Sequence, residues 1–177
     1  MHALNQPRSC AIIVTYNPDI TALLKLVGQL KKETDFIIVD NGTLDIPDIE
    51  ESINVYDQCR EIICLKKNEG LAKALNIGIH WCLREEYDFV FLFDQDSSLC
   101  DLFVNRMINA FFDASSETGK NIAAMGPRII NPQTMRQTSF KLFNRFIFRS
   151  DRKLSDKATH YVADFLITSG TLLVLKT

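Results

Sequence analysis

The sequence predicts an α/β fold, a Rossmann-like, mostly parallel sheet flanked by helices in a single domain. Three observations carry this. Short apolar runs at 10–15, 36–39, 61–65 and 89–93 have the length and the β-branched or aromatic content of strands. Stretches with helical spacing separate them, and a β-α-β alternation argues for a parallel sheet. The 177 residues, 46% hydrophobic and 24% charged, suit one domain with a proper core.

The first strand is Cys10-Ala11-Ile12-Ile13-Val14-Thr15. Asn17 as N-cap and Pro18 at the first helical position then predict a helix start. Ile20, Leu23, Leu24, Val27 and Leu30 give that helix an apolar face up to Lys31 and Lys32. Phe36-Ile37-Ile38-Val39 is the second strand, and the Asn-Gly of Asp40-Asn41-Gly42-Thr43 is a turn signal. Residues 44–60 are acidic and loosely periodic, with room for a short helix after Pro47. Glu61-Ile62-Ile63-Cys64-Leu65 is a third strand and leads into Asn68-Glu69-Gly70. A helix follows, with Leu71, Leu75, Gly78, Ile79 and Cys82 on one face. Residues 89–93 form a strand buried on both faces. Asp101 starts a further helix with Phe103, Met107, Ala110 and Phe111 on its inner side. Residues 122–125 are the next strand, and 165–174 read as a strand interrupted at Ser169-Gly170.

Composition narrows the function classes. The net charge of −2 implies no general affinity for polyanions, so no nucleic-acid partner is expected. No apolar run approaches the roughly 20 residues that span a bilayer. Residues 1–9 are polar and lack the apolar core of a signal peptide, so a cytoplasmic protein is expected. The five cysteines are odd in number and form no Cys-x-x-Cys pair, which reads as free thiols, mostly in the core. His2, His80 and His160 are isolated and lack metal-ligand spacing. Residues 141–153 carry Lys141, Arg145, Arg149, Arg152 and Lys153 among Leu142, Phe143, Phe146, Ile147 and Phe148. This segment has two readings: a peripheral membrane or anionic-ligand contact, or a half-buried strand with a basic outer side.

The strand at 89–93 ends in Asp94-Gln95-Asp96-Ser97. Two carboxylates cost too much to bury unpaired, but fit where a strand opens onto a crevice. In open α/β sheets that carboxyl edge is where ligands bind. Hard oxygen ligands there suit Mg²⁺ or Mn²⁺ bridging to substrate phosphates. The other reading is a solvated turn. Thr15, Tyr16 and Asn17 at one strand exit and Asp40 at another would share this edge. There is no Gly-x-Gly-x-x-Gly after the first strand, no phosphate loop around Gly119-Lys120, and no Gly-x-Ser-x-Gly.

These motifs together resemble the family 2 glycosyltransferases of the GT-A fold. The resemblance rests on the order Ala11-Ile12-Ile13-Val14-Thr15-Tyr16-Asn17, Ile38-Val39-Asp40-Asn41-Gly42-Thr43, Asn68-Glu69-Gly70-Leu71-Ala72-Lys73-Ala74-Leu75-Asn76-Ile77-Gly78 and Asp94-Gln95-Asp96-Ser97. Gly126-Pro127-Arg128 and Thr168-Ser169-Gly170-Thr171 follow, and Asp94-Gln95-Asp96-Ser97 together with Thr168-Ser169-Gly170-Thr171 is most similar to rhamnosyltransferase-like members. The resemblance implies inverting transfer of a sugar such as rhamnose from a dTDP- or UDP-linked donor to a glycan or lipid-linked acceptor in surface polysaccharide synthesis. It implies nucleotide contacts from Thr15, Tyr16, Asn17, Asp40, Asn68, Gly70, Asn76, Asp94 and Gln95. Asp96, with Asp94, would hold the metal. For Asn68 and Asn76 a capping or packing role stands beside this one, and for Gly70 and Gly78 simple backbone closeness. The family's base carboxylate is expected beyond the Ser-Gly strand, and the chain ends at Thr177 before it. The expectation is a donor-binding part that binds nucleotide and metal but transfers sugar poorly. Two other classes share the pattern: a non-catalytic nucleotide–metal binding module, and a nucleotidyltransferase, which would want a glycine-rich loop where residues 15–20 have no glycine.

Overall fold

Alternate residues along the central strands enter two separate cores, which makes a three-layer sandwich. The computed structural model describes residues 7–44, 51–130, 134, 140–144, 147–151, 163 and 166–175. The strands are Ser9–Thr15 (β1), Asp35–Asp40 (β2), Cys59–Cys64 (β3), Phe89–Asp94 (β4), Ala124–Met125 (β5), Phe140–Asn144 (β6), Ile147–Asp151 (β7) and Thr171–Val174 (β8). The helices are Ile20–Leu30 (α1), Leu71–Arg84 (α2) and Phe103–Thr118 (α3). Ala11 and Ile13 of β1, Phe36 and Ile38 of β2, and Phe89, Phe91 and Phe93 of β4 pack against α1 and α3. Their neighbours Cys10, Ile12, Val14, Ile37, Val39, Val90 and Leu92 pack against α2. The two-residue period of a strand produces this division. A strand covered on both sides needs apolar residues at every position, hence the unbroken runs.

The main sheet has the order β3-β2-β1-β4-β8-β5. The first four strands are parallel, with Thr15 opposite Asp40 and Val14 opposite Asp94. β8 runs antiparallel between β4 and β5, with Leu92 opposite Thr171. β6 and β7 form a separate antiparallel pair. Phe103 of α3 meets the edges of Phe91 and Phe93 at centroid distances of 6.2 and 5.9 Å. Burying such a ring is worth about 1.5–3 kcal/mol. Gly78 lets α2 sit close on β1, since an added Cβ would lie 2.7 Å from Ile12 Cγ2.

Several boundaries differ from expectation. The α1 N-cap is Asp19, whose Oδ1 accepts from Ala22 N at 3.1 Å, not Asn17. Asn17 has φ +46°, a left-handed conformation outside the extended region that an N-cap adopts. The helix expected from Asp101 begins at Phe103, after Leu102 at φ +57°. Leu71 and Ala110 are exposed; Ala74 and Val104 are buried instead. Of the residues expected in strand 122–125 only Ala124–Met125 pair, and the last strand begins after the Ser-Gly turn. Only Cys10 and Cys82 of the five cysteines are core; Cys59 is half-buried, Cys64 and Cys100 are exposed, and none is in a disulfide. Residues 51–53 are helical, within the stretch after Pro47 where the sequence has room for a short helix; residues 45–50 and the side chains of 141–153 lie outside the described residues. No helix among the described residues is long and apolar enough to cross a membrane.

Candidate active site at the carboxyl edge

Because β1, β2, β3 and β4 are parallel, their C-terminal ends open on one edge. β2 and β3 lie to one side of β1 and β4 to the other, so the chain changes direction between β1 and β4. That switch point is where open α/β sheets form a ligand crevice. Asp94 closes β4 there, half-buried, and Asp96 stands two residues on, exposed. Burial raises the Asp94 carboxyl above its ordinary range, and the charge on Asp96 raises it further. No lysine, arginine or histidine among the described residues forms an ion pair with either carboxylate. An electrostatic repulsion that no cation among the described residues relieves by an ion pair fits a divalent ion. Mg²⁺ typically takes one or two carboxylates and completes its shell with water and phosphate. Among the described residues no group of three or more His, Cys, Asp or Glu side chains could hold a metal ion.

Gln95 does not point free into the crevice. Its Oε1 accepts from Tyr16 N at 2.8 Å and its Nε2 donates to Tyr16 O at 3.4 Å, bridging β4 to β1 across the switch point. Tyr16 itself is 46% exposed beside it. Asn17 is exposed and its N donates to Thr43 Oγ1 at 2.9 Å.

Thr15 and Asp40 sit differently from expectation. Both are fully buried. The Thr15 hydroxyl donates to Asp40 Oδ1 at 2.8 Å, and the Thr43 hydroxyl donates to the same oxygen at 2.5 Å. Asp40 Oδ2 accepts from Gly42 N at 3.1 Å and Thr43 N at 2.7 Å. Four donors fill the carboxylate's acceptor positions. In this conformation Asp40 closes the 40–43 turn and Thr15 supports it, so neither offers a vacant contact to a nucleoside.

Asn41 is a member that the sequence did not single out. It is 4% exposed; its Nδ2 donates to Asn68 Oδ1 at 3.1 Å and its Oδ1 accepts from Glu69 N at 2.9 Å. Asn68 Oδ1 also accepts from Gly70 N at 3.0 Å. The second and third strand exits are thus stitched into one wall that runs into α2. The Asn-Gly pair signalled a turn but not this partner. Gly70 is exposed at φ +88°, with nothing near an added Cβ, so conformation rather than closeness selects glycine there. Asn76 is exposed on α2, and no hydrogen bond among the described residues ties its side chain to these loops. Lys73 pairs with Glu69 at 2.7 Å on the solvated side of α2.

Two hollows lie elsewhere. One of about 450 Å³ is lined by Glu61, Ile63, Ile77, His80, Trp81 and Arg84. The other, about 360 Å³, is at the amino edge beside Arg8, Asp35 and Tyr87. Neither includes a residue of these strand exits.

Comparison with known proteins agrees with the fold and the motif order. A dTDP-rhamnosyl transferase RfbF of Shigella flexneri is 29% identical over 169 residues, 92% of this chain and 52% of that protein. The chain therefore spans about half the length of this curated relative. Among solved structures, the mannosyltransferase PcManGT of Pyrobaculum calidifontis, in complex with GDP-Man and Mn²⁺, matches with TM-score 0.54 and 18% identity. That match covers 73% of this chain and 37% of the other. S. aureus TarS 1–349 in complex with UDP-GlcNAc matches with TM-score 0.51 and 19% identity, covering 75% and 38%. At such identities these structures speak for the GT-A fold alone. The family model of glycosyl transferase family 2 matches residues 10–172. The chain belongs to glycosyl transferase family 2.

Proposed function

We propose that this chain binds the donor of a nucleotide-sugar glycosyltransferase at the carboxyl edge of its sheet. In this reading Asp94 and Asp96 hold Mg²⁺ or Mn²⁺ against the diphosphate, and Tyr16, Asn17, Asn68 and Gly70 line the nucleoside side. Thr15, Asp40 and Gln95 act from behind, fixing the backbones of residues 15–17 and 40–43. Asn76 borders the site from α2. The single observation that carries the reading is the pair of carboxylates at the switch point, where burial and the charge on Asp96 raise the proton affinity of Asp94 and neither carboxylate forms an ion pair among the described residues.

A bound divalent ion supplies charge neutralisation for a departing nucleoside diphosphate. The residues of the chain orient the donor and keep two carboxylates ready to ligate. The relative named for dTDP-rhamnosyl transfer supports dTDP-rhamnose as donor, with UDP-linked sugars as the comparison. The reaction we propose is inverting transfer to a glycan or lipid-linked acceptor on the cytoplasmic side, in surface polysaccharide synthesis. A carboxylate base would take the acceptor proton. Neither Asp94 nor Asp96 suits that part, because in this reading they would hold the cation, and Asp40 is buried with its acceptor positions filled.

Calorimetric titration with dTDP, UDP and GDP, each with Mn²⁺ and with chelator, tests the reading. One nucleoside diphosphate should bind with Mn²⁺ and be released by chelation. Absence of binding by all three to the folded chain would sink it.

A further inference from the structure

The loop that carries Asp96 is fastened on two sides. Toward β1, Gln95 grips the Tyr16 backbone. Toward β8, Ser97 Oγ lies 2.5 Å from Ser169 Oγ, across 72 residues of sequence. Ser97 is itself part of the loop's turn, its N donating to Asp94 O at 3.1 Å. Ser169 is held by the turn that opens β8. Gly170 N donates to Leu92 O at 2.7 Å, and Thr171 N donates to Thr168 O at 3.1 Å. The Thr171 hydroxyl donates to Ile167 O at 2.5 Å. Ser169 therefore projects from a rigid corner, anchored to the same strand that ends in Asp94. Two hydroxyls facing each other share one hydrogen between them and leave the second to donate elsewhere.

We propose that Ser169 is a positioning residue for the metal–diphosphate loop. Through Ser97 it holds residues 94–97 in the conformation that presents Asp96, so that the loop need not be ordered at the moment of binding. The proposal rests on the metal–diphosphate reading above. It differs from a stability role in one respect. Both serines are only half-buried, and β8 keeps its four pairings with β4 whichever hydroxyl is removed. The cost of losing the contact should fall on metal-dependent binding rather than on folding. Second-layer partners of metal ligands typically cost about 10- to 100-fold in affinity when removed. One acting through a neighbouring serine belongs at the lower end.

The experiment is a titration of Mn²⁺ with dTDP or UDP into wild type, Ser169→Ala, Ser97→Ala, the double variant and Ser169→Thr. Unliganded melting is recorded for each. Ser169→Ala is expected to weaken Mn²⁺-dependent binding about tenfold. Its melting temperature should move by no more than about 3 °C. Ser169→Thr, which keeps the hydroxyl, should restore affinity. The double variant should bind no more weakly than Ser97→Ala, because the two hydroxyls act as one contact. Wild-type affinity in Ser169→Ala, or losses that add in the double variant, would overturn the proposal while leaving the donor-site reading intact. If wild type binds none of dTDP, UDP and GDP with Mn²⁺, both fail together.

Discussion

Asp94 stands where a buried strand turns polar, and its surroundings determine how the crevice answers to pH. Burial, then the Asp96 charge, raises its pKa. The folded chain thus holds this proton more tightly than the unfolded chain does. Asp94 contributes stability at low pH that is lost as pH rises through its folded-state value. Cation binding has the opposite sign, since ligation needs the carboxylate. Mn²⁺-dependent nucleotide binding should therefore fade on acidification at a higher pH than an unperturbed aspartate would give. Asp96→Asn should lower the Asp94 midpoint, read by carboxyl-carbon NMR; an unmoved midpoint would mean that the two groups do not interact. Asp96 is exposed, so Asp96→Ala should leave unliganded stability within about 0.5 kcal/mol. Thiols offer an independent check on packing. Cys10 is raised by its contact with Cys82 and by burial, while burial pushes Cys59 up to about 11. A thiol reagent at pH 8 should modify exposed Cys64 and Cys100 rapidly and Cys59 slowly. Cys10 and Cys82 should react only on unfolding, and fast reaction of either in the folded chain would contradict the core described here.

Among the elements, the 40–43 turn bears the most weight. Gly42 has φ +92°, and a Cβ there would lie 2.5 Å from the Lys67 backbone. Gly42→Ala combines left-handed strain with a backbone clash, each of which costs on the order of 1–3 kcal/mol. Denaturant melting should show a loss of at least 1 kcal/mol on that scale. An unchanged midpoint would mean that the second and third strand exits are not in contact. The same turn marks where reading the sequence stopped. The β2 run and its Asn-Gly ending were legible, because strand length and turn chemistry are local. Whether Asp40 would face a ligand or close its own turn was not, because Thr15 and Thr43 decide it by converging in three dimensions. The α1 start differs from the sequence expectation for a similar reason. Asn17 and Asp19 are both capping residues, and only the left-handed turn at Asn17 passes the role to Asp19. β8 was visible as a strand but not as the antiparallel insert between β4 and β5, since its four residues carry no mark of their partners.

At the scale of the molecule, the fold brings three distant stretches to one edge and leaves two carboxylates there with no counter-charge among the described residues. The parallel order of the first four strands does this. The family's motif order made that edge legible before the fold was known, while the Ser97–Ser169 and Asn41–Asn68 contacts across it were not. The proposed function turns on Asp94 and Asp96 holding a divalent cation. Electron paramagnetic resonance of Mn²⁺ titrated into wild type and Asp96→Asn, with and without dTDP, tests it most directly. Wild type with dTDP should remove free Mn²⁺ signal stoichiometrically, and Asp96→Asn should not. Equal Mn²⁺ uptake by both proteins would contradict it.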